Sequence, residues 1–301
     1  MSNVPLMRLG PDDGGNFEYH WSNQYLQAHL ISDVGKKREF NEDSCVLCAP
    51  EDDFLARERG LLFGVADGMG GASAGEHASR LTLTTIVQQY YRGRSLTVPA
   101  QLMDSVERAN ERVFQEAAAN PQYHGMGTTV CAMLVTDDCA YVAHVGDSRL
   151  YITRGSGVAF QVTNDHSLVA EQVRSGIISE EEARTHSMKN LITRAVGIKE
   201  SVEIDMMSFR VRRGDTILIC SDGLSNMVPD DEISASMHMD NVQAASRLLV
   251  GKALEGGGSD NISVALVRVA ESPPKAALQE GCQAVSIPTN GLFGKLRRFV
   301  N

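Results

Sequence analysis

Five short stretches of this 301-residue sequence set acidic side chains where an apolar run meets a turn. Asn41-Glu42-Asp43 leads into CVLC, and Asp67-Gly68 follows LLFGVA. Gly146-Asp147 follows YVAHV, Asp222-Gly223 follows TILICS, and Asp260-Asn261 precedes ISVALV. A single Asp-Gly pair is an ordinary turn former. Five carboxylate-bearing turns, each against an apolar strand, are more than turn formation asks for. A strand end holds its side chain firmly, and a neighbouring glycine lets a ligand come close to the backbone. Clustered carboxylates repel and raise one another's pKa unless a cation neutralises them. Oxygen-only ligands favour a hard ion, Mg²⁺ or Mn²⁺. No HExxH and no paired Cys/His set competes for zinc. Cys45-Val-Leu-Cys48 is one CxxC with no second pair and no neighbouring histidine, and reads as core.

The elements that would hold these turns follow from periodicity. Residues 26–35, 60–68, 127–135, 139–147, 149–153, 202–211, 215–223 and 261–269 read as strands. The three from 127 to 153 read as one meander. Residues 73–92 have helical composition. In 100–119, Leu102, Val106, Ala109, Val113 and Ala117 recur at helical spacing. Val242, Ala245, Leu249 and Ala253 mark another helix, closed by Gly256-Gly257-Gly258. Strand runs with helices grouped between them predict an α+β architecture of antiparallel sheets under helices, not alternating βαβ units. Residues 1–24 read as a polar, loosely held extension, 25–270 as one continuous domain, and 271–301 as a C-terminal tail.

Composition narrows the function. With 43% hydrophobic and 22% charged residues the chain is globular rather than disordered. A formal net charge of −10 argues against a general nucleic-acid binder, which needs a basic face. No apolar run approaches the ~20 residues of a membrane span, and MSNVPLMRLGPDDGG has no apolar signal core. Six scattered cysteines in a chain of this length predict buried thiols in a reducing, cytoplasmic setting. Cys131, Cys139 and Cys220 lie in apolar stretches and read as small core residues.

The order RxxNED, DGMGG, GTT, VGDSR, DHS, SDGL and SDN resembles the metal-dependent serine/threonine protein phosphatases of the PPM, or type 2C, family, and most of all its bacterial branch. The blocks span residues 32–269, about four-fifths of the chain. The resemblance implies a four-layer α/β/β/α sandwich with the metal cleft at one edge. By motif position, Asp67 would bridge two Mn²⁺ or Mg²⁺ ions. Glu42 and the Gly68 carbonyl would serve one ion, and Asp222 and Asp260 the other. Asp43 would hold a metal-bound water, and Arg38 would grip the substrate phosphate. Two such ions share and activate a water for in-line attack on phosphorus, and a guanidinium fork suits two phosphate oxygens. The substrates implied are phosphoproteins, with a Ser/Thr kinase as the opposing activity. The alternatives are a metal-dependent phosphoesterase on small molecules and a phosphatase-like binding module without catalysis. The latter would lack one of Asp67, Asp222 or Asp260.

Two positions depart from common family patterns. Met69 stands where animal relatives often carry a histidine, and a thioether donates no proton. A third, weaker metal site would use Asp147 together with position 226, here an asparagine, a poorer ligand than a carboxylate for a hard ion. Gly127-Thr128-Thr129, Ser148-Arg149 and Asn261 read as architectural, and His166 either lines the cleft or makes a structural hydrogen bond. Residues 165–190 would form the family's flap, with Ser179 and Glu182 spaced as a helix capping box. The terminal GLFGKLRRFVN reads as a tail rather than a membrane anchor, since three basic residues bind a membrane only weakly.

Overall fold

The structure, a computed structural model, describes residues 6–50, 56, 58–93 and 97–271. Strands alternate their side chains between two faces, and nearly every long strand here is apolar on both. Each sheet must therefore be covered twice. The first sheet has the spatial order β1 (Leu6–Gly10), β4 (Ser44–Ala49), β5 (Leu61–Ala66), β8 (Val130–Thr136), β9 (Cys139–Val145) and β12 (Asp205–Arg210). The second runs β11 (Phe160–Gln161), β10 (Arg149–Thr153), β13 (Thr216–Cys220), β14 (Ile262–Val269), β3 (Leu26–Asp33) and β2 (Phe17–Ser22). A small ribbon pairs β6 (Gly68–Met69) with β7 (Gly127–Thr128), and every pairing is antiparallel.

The period-2 pattern sorts the core into layers. Cys45 and Leu47 of β4, Phe63 and Val65 of β5, and Ala265 and Val267 of β14 point between the sheets. Their neighbours Val46, Cys48 and Leu62 face α1 (Ala72–Arg92) and α2 (Val98–Ala119). Val264 and Leu266 instead face α6 (Asp230–Met237) and α7 (Val242–Glu255). The short α3 (Leu168–Arg174) and α4 (Glu180–Thr185) stand outside these layers, whereas α5 (Asp222–Ser225) puts Leu224 into the core beside α6 and α7. The α2 stripe of Leu102, Val106, Ala109, Val113 and Ala117 is buried as its spacing predicts.

Three expectations are corrected. The stretch 1–24 is not a loose extension over its described part: Leu6–Gly10 and Phe17–Ser22 are edge strands, one in each sheet. Alternate residues of β2 face solvent, so its composition reads as polar. The strands from 127 to 153 are not one meander. β8 and β9 form a hairpin in the first sheet, and at Gly146-Asp147-Ser148 the chain crosses to β10 in the second. Gly146 takes a φ of +109°, a conformation that favours glycine. The thiols of Cys45, Cys48, Cys131 and Cys220 are free and buried, as expected, but Cys139, also buried, is disulfide-bonded. The proposed tail, beyond Glu271, lies outside the described residues.

Candidate functional site

Strand register brings the acidic turns together. In the first sheet Ser44 opposes Ala66, Val65 opposes Cys131, and Val130 opposes Val145, so the turns after β5 and β9 and before β4 share one end. In the second sheet Asp33 opposes Ile262, Cys220 opposes Val264, and Arg149 opposes Cys220, which puts the turns after β3 and β13 and before β10 and β14 at one end too. The chain passes between the sheets at that same end, from β3 to β4 and from β9 to β10. Arg38, Glu42, Asp43, Asp67, Asp147, Asp222 and Asp260, expected from the sequence to act together, meet there.

Each acid is aimed by backbone held in place. The Asp67 amide donates to Thr129 Oγ1 at 3.0 Å, and the Asp67 carbonyl accepts from the Thr129 amide at 2.9 Å and from Thr128 Oγ1 at 2.8 Å. Thr129 Oγ1 also meets Ser148 Oγ at 2.7 Å, tying the Asp67 turn to the Asp147 turn. Asn261, 3% exposed, accepts the Glu42 amide at 2.8 Å and donates through Nδ2 to the carbonyls of Val34 and Phe40. Its own amide donates to Asp260 Oδ1 at 2.9 Å. Gly68 is packed so closely that a Cβ there would stand 2.1 Å from the Gly75 carbonyl and 2.5 Å from that of Glu42. The architectural readings of Thr128, Thr129 and Asn261 agree with these bonds, and Arg149 pairs with Asp165 at 2.7 Å. His166 is structural: its Nδ1 accepts the Gly146 amide at 3.1 Å, and its own amide donates to the Gly146 carbonyl at 2.8 Å. That bracket about Asp147, and the Thr129–Ser148 link, carried no sequence signal beyond the DHS and GTT blocks themselves.

The electrostatics are those of crowded anions. Burial, reinforced by Asp43, Asp222, Asp147 and Asp260, pushes Asp67 well above the usual carboxylate range, although part of the residue still reaches solvent. Burial also raises Asp43 to about 7, with Asp222 and Asp260 adding to it. The Ser221 and Ser263 hydroxyls stand near Asp43, but they are engaged with the Asn261 carbonyl and Ser32 Oγ, leaving both Asp43 oxygens without a donor. Burial and Asp222 lift Asp147 to about 8, and burial and Asp260 lift Asp222 to about 6. Asp67 and Asp222 abut, a contact that bonds only if one carries a proton; ionised, the buried Asp222 Oδ1 has no donor. Glu42 is raised by burial, against Arg38.

Among the described residues Arg38 is the cation in contact with the group, reaching Asp260 at 2.9 Å and Glu42 at 3.5 Å, while Arg149 acts on Asp147 and Asp222 from further off. Asn226 Nδ2 donates to Asp222 Oδ2 at 3.0 Å, a contact the sequence did not announce. Two buried carboxyls, those of Asp43 and Asp222, still have oxygens without a donor, which is what a divalent cation would correct. Among the described residues no three acidic, His or Cys side chains stand close enough together to hold a metal ion by themselves. Mg²⁺-type sites do not need three, because they keep several waters and take few carboxylates. The donor set therefore fits hard ions.

The sequence profile described as protein phosphatase 2C matches residues 37–252. Over 247 residues the chain is 34% identical to the serine/threonine phosphatase stp of Listeria innocua, covering 80% of this chain and 95% of that one. It is 35% identical to the protein phosphatase PhpP of Streptococcus pneumoniae, covering 82% and 98%. The solved catalytic domain of the serine/threonine protein phosphatase PstP, in complex with two manganese ions, superposes with a TM-score of 0.71 at 33% identity, covering 82% and 99%.

Proposed function

Because this chain belongs to the protein phosphatase 2C family, we propose that its acidic cleft holds two divalent ions, Mn²⁺ or Mg²⁺, and hydrolyses phosphoserine and phosphothreonine on proteins. It is a metal-dependent protein phosphatase: its relatives are named as protein phosphatases, and the solved PstP domain is in complex with two manganese ions. The observation that carries the assignment of residues is the convergence of five separate acidic turns on one end of the sandwich.

Asp67, beside Asp43, Asp147, Asp222 and Asp260, would be shared by both ions; Glu42 and the Gly68 carbonyl would hold one, and Asp222 and Asp260 the other. Bound there, the ions would neutralise the crowded carboxylates, acidify water and offset charge on the reacting phosphoryl group. The chain's own residues do the rest. Arg38 trades its carboxylate partners for two phosphate oxygens and holds the substrate in line. Asp43, without a donor of its own, accepts a hydrogen bond from the attacking water and orients it. Met69 supplies no proton, so the leaving group takes its proton from another source.

Asp147 belongs to a third, weaker site. Asn226 is turned toward Asp222 as a donor, which supports its being a poor ligand there. Metal titration of wild type and Asp147→Ala should separate only at high metal; identical curves reject this site. A Ser/Thr kinase as the opposing activity stays part of the proposal; four free buried thiols favour a reducing, cytoplasmic setting and the disulfide-bonded Cys139 does not. Among the described residues no helix is long and apolar enough to cross a membrane.

The test is hydrolysis of a phosphothreonine peptide with Mn²⁺, with chelator, and with Asp67→Asn. Turnover that chelation and the substitution both abolish supports the reading. Turnover indifferent to chelation rejects it.

A further inference from the structure

The turn that carries Arg38 holds more positive charge than a phosphate grip uses. Lys36, Lys37, Arg38, Glu39 and Phe40 are all exposed. Their backbone is nevertheless fixed at both ends. The Lys36 amide donates to the Gly258 carbonyl at 2.8 Å, and the Asn41 amide to the Gly14 carbonyl at 2.7 Å. Asn261 donates to the carbonyls of Val34 and Phe40, at 2.9 and 3.0 Å. A rigid backbone presenting solvent-facing side chains is preorganised for recognition.

The charges on this turn divide into two sets. Arg38 faces inward, onto Asp260 and Glu42. The Lys36 stem crosses Gly258, whose added Cβ would stand 3.2 Å from Lys36 Cγ, two residues before Asp260. Neither Lys36 nor Lys37 forms an ion pair among the described residues, whereas Arg80, Arg154, Arg247 and Arg268 each do. With Glu39 counted and Arg38 engaged, the turn keeps a surplus positive charge in a chain whose net charge is −10. Lysine is a mobile point charge that needs no fixed partner geometry.

We propose that Lys36 and Lys37 read acidic residues beside the phosphorylated residue, so that the preferred substrates are phosphoproteins whose site is flanked by Asp or Glu. This rests on the phosphatase reading and names its substrate class. The two lysines select; they do not take part in the chemistry.

The experiment uses the full chain with Mn²⁺ and three phosphothreonine peptides that differ only in having Glu, Gln or Lys beside the phosphothreonine. K36Q/K37Q is compared with wild type, with p-nitrophenyl phosphate as a small ester. In wild type the Glu peptide should exceed the Lys peptide in kcat/KM by about two- to thirtyfold, the range open to two exposed ion pairs. The difference should lie in KM and fade at high salt. In the double variant the spread should fall below about twofold, with ester hydrolysis unchanged, which also shows that the variant is folded. No preference in wild type, or the same preference in the variant, overturns the proposal. Hydrolysis of the ester but of none of the peptides would overturn the protein-phosphatase reading instead.

Discussion

Asn261 does the work of several residues at once. It holds the Glu42 amide, two carbonyls of the Arg38 turn and, through its own amide, Asp260. Asn261→Ala should orphan these groups and lower stability by about 1–3 kcal/mol, measured by urea unfolding of the metal-free protein. It should also weaken Mn²⁺ binding measured by calorimetry; unchanged affinity would mean that the turn holds its shape without the amide. Arg38→Ala should lower kcat/KM on a phosphopeptide about ten- to a hundredfold, the worth of charge-assisted hydrogen bonds. Arg38→Lys should recover only part, because the fork is lost while the charge stays. At this scale the acids were legible in the sequence, since each stands at a strand end beside a turn signal. Their supports were less so. His166 on Gly146 and Thr129 on Ser148 join residues about twenty apart through space, and residue type alone does not encode that.

Elements were legible where both faces of a strand or one stripe of a helix are apolar. They were lost where half the residues face water, as in β2, and where a strand changes sheet, as at β9 to β10. A hairpin-like sequence does not say which sheet the second strand joins, because that is settled by which core it buries. The capping box of α4 is the opposite case: Ser179 Oγ accepts the Glu182 amide at 3.2 Å and Glu182 returns a bond to the Ser179 amide at 2.7 Å, as the spacing predicts. Ser179→Ala should cost about 1 kcal/mol of local helix stability, seen as faster amide exchange over residues 180–185. The global unfolding midpoint should stay unchanged, since α4 buries none of its residues. A shift in that midpoint would mean that this segment unfolds with the sandwich.

For the whole molecule, crowding acid at one end sets a pH dependence. Burial and mutual repulsion push Asp43, Asp147 and Asp222 up to about 7, 8 and 6 in the folded chain, above the ordinary carboxylate range. The folded state therefore binds protons more tightly than the unfolded one across that interval. The linkage sign follows: the contribution of these three acids to metal-free stability is fully present below the unfolded carboxylate pKa and is lost as pH rises to about 8. Saturating Mn²⁺ should reverse this, adding about 2.7 kcal/mol at a hundredfold excess over its Kd. Thermal unfolding at several pH values, with and without Mn²⁺, checks both signs. A metal-free midpoint that climbs with pH would contradict the crowding.

The passage of the chain from one sheet to the other, at 34–43 and at 146–148, makes the acidic end a calliper. Asp222 and Asp260 ride on one jaw and Glu42, Asp43 and Asp67 on the other, and Phe63, Met133 and Ile219 are among the side chains that fill the gap between the sheets. The width of that hydrocarbon filling thus becomes a tuning dimension for ion choice. Trimming it deep in the sandwich should detune the grip on one cation size against another while every ligand residue is retained.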